Sequence, residues 1–116
     1  MRLAALLMLM MAAAATPAAA HAFLERAVPP VGSELATPPG QIVLTFTEGV
    51  EPLFSTIEVR DAHGSVPTGK PRLPPDNARQ LVIDLPSLPG GEYTVIWHAT
   101  SVDTHRTEGS YRFTVH

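Results

Sequence analysis

The sequence holds five histidines, His21, His63, His98, His105 and His116, and no cysteine. Without thiols there is no zinc ribbon, iron–sulfur cluster, thiolate nucleophile or disulfide frame to consider, so any metal chemistry must use nitrogen and oxygen donors. Three of the histidines read as structural or surface residues. His63 stands in the turn sequence Asp61-Ala62-His63-Gly64, His98 alternates away from Trp97 in a strand-like run, and His116 is the last residue. The segment Asp103-Thr104-His105 differs. In an extended chain residues i and i+2 project to one side, about 6.5–7 Å apart at the backbone, so a carboxylate and an imidazole can converge on one atom. Alone, that pattern reads more simply as an Asx turn beside an exposed ring.

His21 gains its meaning from what precedes it. Met1-Arg2 is a short positive region, Leu3 to Ala15 is apolar, Thr16-Pro17 breaks the run, and Ala18-Ala19-Ala20 supplies the small residues a signal peptidase needs. The apolar stretch is shorter than the roughly 20 residues that span a bilayer. Residues 1–20 are therefore expected to be a cleaved secretory signal, and 21–116 an exported domain with no membrane insertion of its own. Cleavage after Ala20 leaves His21 at the new N-terminus; cleavage after Ala22 also fits the pattern and discards it. A free N-terminal histidine offers its α-amine and ring Nδ1 as a chelate, and an amine with a reference pKa of about 7.7–8.0 can yield its proton to a metal near neutrality.

Adding the His105 imidazole and the Asp103 carboxylate gives three nitrogens and one oxygen. A tetragonal N,O set without sulfur suits Cu(II) best among first-row ions, with Zn(II) and Ni(II) held less tightly. One Cu(II) per chain is the expectation. Cu(I) lacks the sulfur it prefers, because all four methionines (Met1, Met8, Met10 and Met11) lie in the leader. Glu48, in Phe46-Thr47-Glu48-Gly49, is a further carboxylate that could orient the His21 amine, and equally reads as a strand-end charge facing solvent.

The elements that must position these groups are strands. Gln41–Glu48, Phe54–Arg60, Gln80–Leu85, Glu92–Ala99 and Ser110–His116 alternate with period two, and Ala22–Val28 makes a plausible first strand. Between them lie Pro29-Pro30, Pro38-Pro39-Gly40, His63-Gly64, Pro74-Pro75 and Pro89-Gly90-Gly91. Twelve prolines, all but Pro17 downstream of the leader, leave no room for a long helix. The pattern is all-β, a sandwich or Greek-key barrel forming one domain. Lys and Arg number 8 against 11 Asp and Glu, and one of those cations, Arg2, lies in the leader. A net negative exported domain argues against nucleic acid or an anionic membrane as partner.

Five blocks in order then carry a resemblance: His21-Ala22-Phe23-Leu24; Ala27-Val28-Pro29-Pro30-Val31-Gly32-Ser33; Leu44-Thr45-Phe46-Thr47-Glu48-Gly49-Val50; Gly91 to Trp97; and Ser101-Val102-Asp103-Thr104-His105 with Gly109 to Val115. The chain resembles the CopC-type periplasmic copper-binding family across essentially all of its mature length. The resemblance implies a seven-stranded Greek-key β-barrel or immunoglobulin-like sandwich, monomeric and periplasmic, with a Cu(II) site at one end. Its ligands would be His21, Asp103 and His105, with Glu48 matching a family glutamate near the metal. It further implies a role in copper homeostasis or resistance beside a CopD-type inner-membrane protein. Some members also bind Cu(I) in a methionine-rich loop; Arg60 to Gln80 contains no methionine here, which favours a Cu(II)-only carrier.

Two other classes stay open. A copper oxidase resembling lytic polysaccharide monooxygenases would share the N-terminal histidine, but such enzymes are usually longer and show a broad aromatic face, whereas the one tryptophan, Trp97, patterns into the core. An aspartate ligand would also obstruct the open position that oxygen activation needs. A metal-free immunoglobulin-like interaction module would need no particular N-terminus.

Overall fold

The computed structural model describes residues 21–116; the secretory signal expected over 1–20 lies outside the described residues. Eight strands follow one another: β1 (Leu24–Val28), β2 (Glu34–Leu35), β3 (Gln41–Phe46), β4 (Thr56–Asp61), β5 (Gly64–Val66), β6 (Gln80–Asp84), β7 (Gly91–Thr100) and β8 (Arg106–Val115). They form two sheets, one in the order β1-β3-β6 and the other β2-β8-β7-β4-β5. The architecture is an all-β sandwich. Among the described residues no ladder joins the two sheets, so the barrel alternative gives way to two layers.

The count is eight where the resemblance implies seven, and the two strands that alternation did not show, β2 and β5, are only 2 and 3 residues long. Runs that short carry no period-two signal. β2 pairs with β8 in parallel, and β5 turns back on β4 through Asp61↔Gly64. The strand expected from Phe54 starts later, at Thr56, because Pro52–Phe54 forms a 3-10 turn. The last strand begins earlier than Ser110, at Arg106, where its residues pair with Thr100 through Trp97 of β7.

Alternation puts Ile42, Leu44 and Phe46 of β3, Leu81 and Ile83 of β6, Tyr93, Val95 and Trp97 of β7 and Tyr111, Phe113 and Val115 of β8 in one buried core. Trp97, as its patterning indicated, is 6% exposed. Its ring meets Phe46 edge-on at 5.3 Å and 73°. Directly opposite in the ladder stands Gly109, and a Cβ there would lie 2.6 Å from Trp97 Cζ2. Gly109 therefore provides the gap in which the indole lies, and it also explains why the start of β8 lacks apolar alternation. Gly109→Ala should displace Trp97 and lower stability by about 1–3 kcal/mol, the range for overpacking a core. Urea denaturation followed by Trp97 fluorescence checks this, and an unchanged midpoint would contradict it.

Candidate metal centre

The candidate ligands come from the two ends of the chain, so the question is what holds them together. The downstream pair sits in the short connection from β7 to β8. The Ser101 N–H donates to the His105 carbonyl at 2.8 Å and the Thr104 N–H to the Ser101 carbonyl at 2.9 Å. Thr104 takes φ 74, in the left-handed region, which lets the chain reverse within these few residues. The Ser101 side chain fixes the interior of the turn. Its hydroxyl donates to the Asp103 carboxylate and accepts the His105 N–H at 3.2 Å. Ser101 is almost fully buried, so its hydroxyl serves the interior of the turn.

This turn is tied to the end of β3. The Val102 N–H donates to the Gly49 carbonyl at 3.0 Å, and Val50 bridges Ser101. On the same side the N-terminal segment is clamped by two threonines. Thr47 accepts the Phe23 N–H on its hydroxyl at 3.0 Å, donates that hydroxyl to the His21 carbonyl at 3.2 Å, and sends its own N–H to the Phe23 carbonyl at 2.9 Å. Thr107, on β8, donates to the Ala22 carbonyl at 2.6 Å, and Ala22 itself has no exposed surface. His21 thus emerges from a residue pinned between the two sheets.

The outcome is a corner shared by residues far apart in sequence. The His21 and His105 rings stack with centroids 4.8 Å apart and planes within 5°, and His21 also stacks on Phe23 at 5.8 Å. His105 Nδ1 lies 3.4 Å from Asp103 Oδ2. Asp103 titrates below the usual aspartate range, chiefly because the Ser101 hydroxyl bonds to its ionised form and further because of the His105 charge; partial loss of hydration works the other way.

His21, Asp103 and His105 are therefore neighbours, but they do not yet form a ligating array. Among the described residues no group of three His, Cys, Asp or Glu side chains is placed to hold a metal ion. Stacked imidazoles direct their lone pairs in parallel planes, so one ring must turn before both can reach an ion at about 2.0–2.1 Å. In the full chain the His21 nitrogen is also an amide bonded to Ala20 rather than an amine. Glu48 stays apart. It is exposed, directly follows Thr47, and its side chain makes no hydrogen bond or ion pair with the described residues. Thr47, Thr107 and Ser101 were not legible as site residues, since a strand or loop hydroxyl carries no spacing signal of its own.

Comparison with known proteins agrees with this reading of the fold. The CopC domain matches residues 24–116, and the chain belongs to the CopC family. Protein YobA of Escherichia coli K12 is 37% identical over 98 residues, which span 83% of this chain and 79% of that protein. The crystal structure of CopC from Methylosinus trichosporium OB3b superposes with a TM-score of 0.77 at 38% identity, covering 82% of this chain and 93% of that one. PcoC, a methionine-rich copper resistance protein from Escherichia coli, gives 0.73 at 35% identity, covering 84% of this chain and 100% of its own. The matched domain begins three positions after His21, so the first candidate ligand is argued from this chain's own geometry.

The Ser101 contact has a measurable consequence. Ser101→Ala should move the Asp103 pKa up towards its ordinary value, read from the side-chain carboxyl 13C shift against pH. A depressed carboxylate stabilises the fold above its unfolded pKa, and that contribution is lost as pH falls through its folded pKa. The substitution should therefore make acid loss of the loop's amide dispersion begin at higher pH. An unmoved Asp103 titration would show that Ser101 does not set it.

Proposed function

We propose that the chain is processed after Ala20 to a periplasmic, monomeric carrier that binds one Cu(II) per molecule, not an enzyme. Cleavage turns the His21 amide into an amine, which with the His21 ring, the His105 ring and the Asp103 carboxylate makes a three-nitrogen, one-oxygen set. That set suits Cu(II) by donor type. The observation that carries the reading is the stacking of His21 on His105 at 4.8 Å beside Asp103, since nothing in chain order brings these residues to one corner.

Other features support it. PcoC is described as a copper resistance protein rich in methionine, whereas this chain has none beyond Met11, which favours a single Cu(II) site over a pair that also takes Cu(I). The leader pattern supports export, and among the described residues no helix is long and apolar enough to cross a membrane. Copper held in an exposed corner is open to hand-over, so sequestration or delivery to a CopD-type inner-membrane protein is the role proposed. Glu48, one residue beyond the Thr47 clamp, would steady the freed amine from outside the ligand set.

Isothermal titration of the protein beginning at His21 tests the site. Cu(II) should bind with one tight event, and His105→Ala should weaken it by more than the roughly 10–100-fold usual for outer contacts, whereas Glu48→Gln should stay within that range. An added alanine before His21 should weaken binding as His105→Ala does. Parent-like affinity in either the His105→Ala or the extended protein would overturn the assignment.

A further inference from the structure

A second imidazole–carboxylate pair lies outside the corner just described. In the sheet register Thr56 of β4 pairs with His98 of β7, and His98 with Glu108 of β8, so the three residues form one row across three adjacent strands. His98 Nε2 is 3.0 Å from Glu108 Oε2, and its Nδ1 is 3.4 Å from Thr56 Oγ1. The row stands on the solvent face, with the His98 and Glu108 side chains 58% and 75% exposed. It opens into a groove of about 620 Å3 that also takes in Phe54, Arg106 and Thr107.

We propose that His98 and Glu108 form a second, solvent-open site for a borderline divalent cation, of which Cu(II) is the probe that tests it. Two donors bound side by side to one such ion at about 2.0–2.2 Å stand roughly 3 Å apart, which is the separation this pair already has. Neighbouring strands fix that spacing, so a small rotation of the carboxylate is all that binding requires. When Nε2 binds the ion, the remaining ring proton resides on Nδ1 and donates to the Thr56 hydroxyl. Ligating histidines are commonly held by such a contact at their second nitrogen. Water completes the coordination. With two protein donors the site is weaker than the His21 corner, and the Arg106 charge in the same groove weakens it further. It needs no free amine, so it exists before and after removal of the leader. Glu108, near the start of β8, lies three residues after His105, about 10 Å along the extended chain.

An exposed cross-strand pair of this kind contributes little to stability, so its removal isolates binding from folding. The full-length chain carrying His105→Ala silences the first corner, whose amine is already blocked there. Titrated with Cu(II), it should retain one weak binding event with selective paramagnetic broadening of the His98 ring signals. Adding His98→Ala should weaken that event at least tenfold, Glu108→Gln should weaken it severalfold, and Arg106→Ser should strengthen it. Changing His63 or His116 to alanine should leave it as it was. The proposal fails if His105→Ala protein binds no Cu(II), if adding His98→Ala leaves binding unchanged, or if His63 or His116 proves to be the residue required. None of these outcomes bears on the tight site, which is judged on the protein beginning at His21.

Discussion

Everything at the metal corner depends on the way Ala22 is held. Its side chain is wholly buried, its carbonyl accepts the Thr107 hydroxyl from the five-stranded sheet, and the residues on either side of it are fastened to Thr47 at the end of β3 in the other sheet. A chain end normally frays because ordering it costs backbone entropy. Here hydrogen bonds to both layers hold Ala22 and set His21 beside the β7–β8 turn. The site is thus a property of the sandwich's closure at one end, not of any one loop.

The turn that faces His21 is equally determined. Ser101 lies in its interior and bonds to the Asp103 carboxylate and the His105 backbone, so one buried hydroxyl holds the carboxylate and the stretch of chain that carries the imidazole. Bonds from the Val102 N–H to the Gly49 carbonyl and from the Glu51 N–H to the Thr100 carbonyl then lock this turn to the segment that follows β3, whose Thr47 also holds residues 21–23. Two short segments from opposite ends of the chain share one support. That is why residues more than eighty positions apart meet at one corner without a deep pocket, which a domain this small could not enclose.

Much of this was legible beforehand, for identifiable reasons. The long strands show in their alternation because one face of each is buried, and Trp97 is correctly placed inside by its neighbours Tyr93 and Val95. His21, Asp103 and His105 could be singled out because their chemistry is local: a chain end, and an i, i+2 pair. The clamps could not. Thr47 and Thr107 are ordinary strand threonines until the sheets are assembled, and the strand β8 hides its first residues because Gly109 leaves room for an indole instead of contributing an apolar side chain. His98 was set aside for want of a neighbour in sequence; its neighbours, Thr56 and Glu108, are cross-strand partners that only register reveals.

The central claim joins a cleavage to a coordination, and native mass spectrometry of the exported protein purified from copper-supplemented cells tests both at once. The account predicts a species of residues 21–116 that keeps one tightly held copper ion after weakly bound copper has been washed away. A species beginning at Phe23 that carries the same copper, or one beginning at His21 that carries none, would contradict it.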